Sequence, residues 1–310
     1  MTKQITKFLA AAATRTLRAY IRYFPLKLGK DFLYGKIVTP YLAWRQYKKV
    51  VRTLSGARME TQLPDQIQSR IYFFGIWEPQ LTAFITQRLA PGDCFIDVGA
   101  NVGYYSLLAA SLVGERGSVY AIEASPSICA TLLRNIAHNK YVNIAVFNEA
   151  ASDREGVLDI FLAPGNNIGA TTTVVAEATR KGHALEAQVR ARTLEAIIGR
   201  ETLRSARLIK MDVEGAEMSV VRGIRDVFPH FSERTEWVFE VTPRALEAQG
   251  DKVRELLDCF TQAGFNLYQI SNTYADDEYL KLRRGFELTE LQGIPTAQVD
   301  LVASKLRVCT

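Results

Sequence analysis

From Leu63 onward, apolar positions fall into short continuous runs alternating with helical stripes. Leu81, Phe84, Ile85 and Leu89 recur at i, i+3, i+4 and i+8, which predicts a helix over 79–89 running into the turn Pro91-Gly92-Asp93. The run Phe95-Ile96-Asp97-Val98 then reads as a buried strand, followed by a glycine turn and a helix over 104–112. Strands at 118–122 and 142–147 flank a helix at 127–138. The stretch 154–192 is less regular, with strands expected at 157–161 and 189–194 around a polar loop at 165–173. A strand at 208–211, a helix at 214–227, a strand at 237–241 and a helix at 245–263 follow. Strands at 265–270 and 298–303 close the chain with no clear helix between them. Strands alternating with helices predict a parallel sheet covered on both faces, and the closing pair predicts an antiparallel edge. There is no internal repeat, and no apolar run of 18 residues that would span a bilayer.

Charge divides the chain in two. Residues 1–58 hold thirteen Lys or Arg against one acid, Asp31, for a net +12; the other 252 residues hold 25 bases against 32 acids, for a net −7. A basic extension over 1–60 therefore precedes an α/β domain over 61–310. Residues 1–52 read as basic amphipathic helix: Leu9, Leu17, Tyr20, Ile21 and Phe24 lie among Arg15, Arg18, Arg22, Lys27 and Lys30. Further on, Tyr41, Trp44 and Tyr47 alternate with Arg45, Lys48, Lys49 and Arg52. Arg15 and Arg18 interrupt the only candidate apolar stretch, 8–13, so a secretory signal is a poor reading. Three roles stay open for this arm: packing on the body, lying on an anionic membrane surface, or touching nucleic acid phosphates, the last weighed lowest because basic patches alone are non-specific. At 48% hydrophobic and 23% charged the chain is ordinary globular material. Cys94, Cys129, Cys259 and Cys309 lie far apart, which gives neither a zinc site nor a disulfide framework and fits a reducing, cytoplasmic setting.

Two constellations carry candidate chemistry. The first strand ends in Asp97-Val98-Gly99-Ala100-Asn101-Val102-Gly103, a turn whose glycines let backbone approach a ligand at the carboxyl edge of the sheet. A carboxylate just before the first glycine would repel a pyrophosphate and attract the cationic amino-acid end of S-adenosyl-L-methionine. Glu123 ends the next strand, twenty residues after Gly103, where a carboxylate can accept both ribose hydroxyls. The third glycine of the dinucleotide fingerprint is replaced by Tyr104 and Tyr105, which also favours S-adenosyl-L-methionine over NAD.

The second constellation is Lys210-Met211-Asp212-Val213-Glu214-Gly215-Ala216-Glu217. Strand alternation puts Lys210 and Asp212 on one face, and Glu240, at the end of a neighbouring predicted strand, is positioned to approach Asp212. Such carboxylates can hold a substrate hydroxyl, act as general base or bind a divalent cation; equally, Lys210 can be a structural ion pair and Glu214 and Glu217 helix N-terminal acids. Asp212 is the first candidate for base or metal contact, with Glu240 as its partner and Lys210 as an orienting group. His138, His183 and His230 read as surface or capping residues. The loop 166–173 (Asn-Asn-Ile-Gly-Ala-Thr-Thr-Thr) suits sugar hydroxyls.

At these residues the chain resembles the FkbM family of S-adenosylmethionine-dependent methyltransferases. The likeness rests on F-I-D-V-G-A-N-V-G-Y-Y-S (95–106), I-E-A-S-P (122–126) and I-K-M-D-V-E-G-A-E (209–217), with I-Y-F-F-G-I-W-E-P (71–79) as a lead-in. It covers about 63–305 and leaves 1–58 outside. The resemblance implies a class I methyltransferase, Rossmann-like sheet of seven mostly parallel strands with an antiparallel edge. It also implies O-methylation of a sugar, glycan or natural product, often alongside polysaccharide biosynthesis. Carried over by position, Asp97, Gly99, Ala100, Asn101 and Gly103 would cradle the methionine end of the cofactor. Glu123 and Ala124 would meet the ribose, and Ala150 to Asp153, with Ala151 and Asp153 foremost, would lie beside the adenine. Lys210, Asp212, Glu214 and Glu217 would face the acceptor. Rival readings are an NAD-dependent oxidoreductase, a degenerate methyltransferase fold that only binds a partner, and an RNA methyltransferase using the arm, for which the acidic body is a poor phosphate cradle.

Overall fold

A computed structural model describes residues 2–24, 28–43, 46–165, 167–273, 275–281 and 285–307. Lys27, Trp44, Arg45, Asn166 and Cys309 lie outside the described residues. In chain order the strands are β1 (Tyr47–Arg52), β2 (Arg58–Leu63), β3 (Cys94–Val98), β4 (Ser118–Ile122), β5 (Ile144–Phe147), β6 (Ala150–Ala151), β7 (Gly156–Leu162), β8 (Ala184–Arg192), β9 (Leu208–Met211), β10 (Glu236–Val241), β11 (Asn266–Ile270), β12 (Leu288–Glu290) and β13 (Val299–Ser304). Eight of them form the central sheet in the order β12-β11-β13-β10-β9-β3-β4-β5. From β10 to β5 the strands run parallel, while β13 is antiparallel to both β10 and β11. This is the class I methyltransferase arrangement with one strand more than the seven expected: the three-residue β12 extends the antiparallel edge.

The sheet is buried on both sides because neighbouring positions on each strand feed different cores. Phe95, Leu208, Val238 and Val302 pack with the helices Gln66–Phe74, Pro79–Arg88 and Tyr104–Val113. Ile96, Ile209, Trp237, Phe239 and Leu301 face the helices Leu194–Ile198, Glu217–Arg222 and Val253–Gln262. On that second face Phe239 stacks on Phe260 with centroids 4.6 Å apart, and Phe228 stacks on Trp237 at 5.7 Å. The irregular middle forms its own sheet, β6-β8-β7, beside the carboxyl edge.

Several predicted elements change. The helix expected at 214–227 is confined to Glu217–Arg222, because Glu214 and Gly215 take positive φ in a turn ahead of it. The helix expected at 245–263 is two, Pro243–Ala248 and Val253–Gln262, broken at Gly250 with φ +79°. The strand expected at 189–194 starts earlier, at Ala184, and stops before Thr193, whose hydroxyl caps the helix Leu194–Ile198. Residues 47–52 are not helix: β1 pairs antiparallel with β2 through a tight turn at Gly56, and this hairpin straddles the boundary placed at residue 60.

Helix Thr2–Tyr23 docks by its last turn. Ile21 is buried, Arg18 lies over the Tyr72 ring at 4.2 Å, and the Arg22 guanidinium donates to the carbonyls of Ile71 (2.6 Å), Tyr72 (2.6 Å), Phe73 (3.1 Å) and Arg52 (2.7 Å). Three of these carbonyls end helix Gln66–Phe74; that of Ile71 already accepts from Gly75 N at 2.9 Å, and the cation reaches it together with the Tyr72 and Phe73 carbonyls beyond. Burial lowers the Arg22 pKa to about 10. Arg22→Ala is expected to cost roughly 2–3 kcal/mol through the lost charge-assisted bonds. Urea unfolding measures this loss, and limited proteolysis should cut 24–29 sooner in the variant.

Candidate active site

The carboxyl ends of β3, β4 and β9 converge on one turn. Gly99 (φ +78°) and Asn101 (φ +50°) bend the chain out of β3, and Gly99 and Ala100 both donate to the Ile122 carbonyl at 2.9 Å. A Cβ on Gly99 would stand 1.8 Å from the Asp212 carbonyl oxygen, so only glycine allows β3 and β9 to end this close together. Glu123 closes the turn from β4: one carboxylate oxygen accepts from Asn101 N (2.8 Å) and the other from Ser125 N (2.9 Å). Burial raises its pKa to about 7 despite these bonds.

Beside this turn lies a solvent-open cleft of about 600 Å³, whose walls include Gly99, Asn101, Glu123, Ala124, Ala151, Asp212 and Glu214. Its outer side is the expected polar loop. Asp65 caps helix Gln66–Phe74 through Gln68 N (2.9 Å) and also accepts from Ile168 N (3.0 Å), while the Thr172 hydroxyl donates to the Glu214 carbonyl (2.9 Å). These bonds hold the loop against both the first core helix and the β9 turn.

The other candidates are placed elsewhere. Asp97 is fully buried beneath the turn, accepting from the Ser106 hydroxyl at 2.6 Å, and burial raises its pKa. Ala100 packs with Ala121 and Leu132, and Gly103 starts the next helix, where a Cβ would meet Leu132 at 2.3 Å. Asp153 lies past β6, next to the backbone contact that Ser152 makes with Gly223. Glu217 points inward instead of towards an acceptor: its Oε1 accepts from Val213 N (3.3 Å) and Gly215 N (3.1 Å) and braces the turn, and burial raises its pKa to about 7.

Lys210 stands beside Asp212 in the wall of a second, much tighter space that leaves about 10 Å³, room for one water molecule. Its ammonium is 3.2 Å from Asp212 Oδ2, 3.9 Å from Asp97 Oδ1 and 5.5 Å from the centre of the Tyr105 ring. Burial disfavours its charge, yet Asp212, Asp97 and Glu78 outweigh that and hold its pKa above the usual lysine value. The second cavity is lined by Glu78, Asp212, Glu240 and Asp300 as well as Lys210. Asp212 thus faces both spaces, with 42% of its side chain exposed. Glu78 accepts from the Tyr105 hydroxyl (2.5 Å) and Asn272 Nδ2 (3.1 Å), which also reaches Asp300 (2.9 Å). Glu240 accepts from Thr242 (3.0 Å) and Gln298 (2.5 Å); burial and then Asp212 raise its pKa to about 7. Burial and neighbouring carboxylates push Glu214 and Asp300 well above the ordinary range. Among the described residues no three His, Cys, Asp or Glu are arranged to hold a metal ion, so no step is assigned to the divalent cation considered above. His138 pairs with Glu60 at 3.3 Å, and neither cavity has a histidine in its lining.

Sequence reasoning did not assign roles to Glu78, Asp300, Asn272 or Tyr105. The signals were thin: an acid in the W-E-P lead-in, and one acid inside the apolar run V-D-L-V-A of β13.

The Methyltransferase FkbM domain family matches residues 97–267, more than half of the chain. A probable cobalt-precorrin-6B C(15)-methyltransferase (decarboxylating) of Sulfolobus acidocaldarius is 27% identical over 110 residues, covering 34% of this chain and 57% of its own length. Methyltransferase 1 of Beauveria bassiana is 25% identical over 178 residues, 52% of this chain and 68% of its own. The chain therefore spans a little over half the length of the Sulfolobus relative. Among solved structures, a methyltransferase FkbM from Methylobacillus flagellatus KT is similar at a TM-score of 0.40 with 16% identity, covering 70% of this chain and 44% of that one.

Two measurements check this geometry. Glu123, Glu217 and Glu240 each hold a proton up to about pH 7, against 4.5 for a free glutamate. The folded state then binds more protons than the unfolded chain between those values, so stability falls as pH rises through that window. The thermal midpoint should drop between about pH 5 and about pH 8, and Glu217→Gln should flatten the slope. Gly99→Ala should cost on the order of 3 kcal/mol in urea unfolding, against about 1 kcal/mol for Gly92→Ala, which shares the positive φ but has open space around it.

Proposed function

The chain belongs to the FkbM methyltransferase family, and from that premise we propose that it transfers a methyl group from S-adenosyl-L-methionine to a hydroxyl of a sugar, glycan or related small molecule. The observation that carries this reading is Asp212, held by Lys210 at 3.2 Å on the boundary between the cleft and the acidic cavity. The donor set suits the cofactor. Glu123 offers carboxylate oxygens to a ribose diol, the glycine turn presents bare backbone, and Ala124, Ala151 and Ile160 offer an apolar wall for the adenine. When bound, S-adenosyl-L-methionine supplies an electrophilic methyl group on its sulfonium.

The remaining work falls to the chain. An acceptor hydroxyl must lose its proton as it attacks, and Asp212, on the cleft wall, is the carboxylate to which this reading gives that proton. Lys210 fixes that carboxylate through its ion pair and keeps it from turning away. Holding acceptor and methyl in line supplies much of the rate enhancement. A polyol acceptor beside Asp212 would meet the polar side of the cleft, where Ser125, Thr171 and Thr173 offer hydroxyls. Residues 59–310 carry a net charge of −7, which disfavours a nucleic acid phosphate and favours a sugar over RNA as acceptor.

Calorimetric titration with S-adenosyl-L-methionine, and separately with NADH, tests the cofactor. Binding of the first alone is expected, and Glu123→Ala should abolish it. Binding of NADH, or of neither, would overturn the assignment. With an accepted glycan in hand, Asp212→Asn should lower kcat by about 10²- to 10⁴-fold while leaving cofactor affinity nearly unchanged.

A further inference from the structure

The helical turn Lys30–Leu33 continues into the π-helical stretch Tyr34–Leu42, and the pair is amphipathic in an unusual sense. Lys30, Tyr34 and Val38, spaced by four, are buried against the body. The outward positions, where polar residues belong, hold Phe32 (65% exposed), Ile37 and Tyr41 (67% exposed). Just before them Tyr23 and Leu28 are also open, Leu28 at 72%. The Tyr20 hydroxyl donates to the Leu28 carbonyl at 2.5 Å and the Tyr20 ring stacks on Phe24 at 4.7 Å, which ties the first helix to the second. Among the described residues, all five exposed large aromatics, Tyr23, Phe24, Phe32, Tyr41 and Tyr47, lie within this arm. The exposed apolar residues elsewhere are aliphatic and scattered along the sequence, as on any soluble surface.

We propose that this face docks the protein on an anionic phospholipid membrane, with Leu28, Phe32 and Tyr41 entering the headgroup boundary and the arm's cations meeting lipid phosphates. Charge selects the occupant. The first 58 residues carry +12 and the rest −7, so a flat anionic surface attracts the arm and leaves the acidic body facing away. A second copy of the chain would set one strongly basic face against another. RNA would stack on the rings but has no use for exposed Leu28 and Ile37, which are aliphatic side chains suited to acyl chains. Among the described residues no helix is long and apolar enough to cross a membrane, and the contact proposed is made by this exposed face.

The test is co-sedimentation of the full chain with vesicles of phosphatidylcholine alone or with phosphatidylglycerol added. Binding is expected only to the anionic vesicles, weakening as salt shortens the screening length from about 10 Å at 0.1 M to about 3 Å at 1 M. The double variant Phe32→Ser, Tyr41→Ser should lower the partition roughly tenfold, and Lys36→Glu should weaken it further. Both changes lie in solvent, so an unchanged thermal midpoint confirms that folding is intact. No binding to anionic vesicles, equal binding to neutral ones, or binding that the double variant leaves unchanged would overturn the proposal. So would a salt-sensitive shift of RNA without vesicle binding, or a dimer in sedimentation velocity that the double variant dissociates. None of these readouts depends on methyl transfer.

Discussion

The ammonium of Lys210 stands between two carboxylates of unlike exposure, Asp97 sealed under the glycine turn and Asp212 at the mouth of the cleft. A buried carboxylate such as Asp97 is tolerated because this cation and the Ser106 hydroxyl answer it; without the cation, an isolated charge would be left in the core at a cost of about 3–5 kcal/mol. The same ammonium orients Asp212, so one group joins the stability of the β3 turn to the aim of the candidate base. Strand order makes this possible. β3 and β9 are neighbours in register, with Asp97 opposite Lys210, and Gly99 lets their ends come together.

Backbone strain gathers at the same place. The three non-glycine residues with positive φ among those described are Glu78, Asn101 and Glu214. Asn101 and Glu214 line the cleft, and Glu78 lines the acidic cavity beyond. Each such conformation costs on the order of 1 kcal/mol or more and persists only where surrounding bonds impose it. Glu123 fixes Asn101, Thr172 holds the Glu214 carbonyl, and Tyr105 with Asn272 holds the Glu78 side chain. A site already set in place by its own backbone has less ordering to do when ligands arrive.

The sequence made the central strands legible to within a residue or two, because a strand buried on both faces must be a short apolar run ended by a turn. It also placed Asp212 and Glu240 at adjacent strand ends, and both do line the acidic cavity. What it could not convey was direction. Asp97 and Glu217 are acids in suggestive positions, yet one turns under the sheet edge and the other braces a loop, which depends on backbone angles that residue type does not encode. The three-residue β12 is too short to show alternation, and the break at Gly250 resembles a helix that tolerates one glycine. Glu78 and Asp300 come from segments more than two hundred residues apart, so only the closed sheet brings them together.

Helix Gln66–Phe74 has both of its ends in use. Asp65, its N-terminal cap, also holds the loop over the cleft, and Arg22 of the arm takes the carbonyls at its other end. The basic arm is therefore no detachable tag. A shortened chain beginning near residue 60 would split the β1–β2 hairpin and strip the Arg22 donor from one end of the rod whose other end positions the cleft's outer wall. Anyone trimming this protein for crystals or catalysis would be editing its active-site frame from a distance.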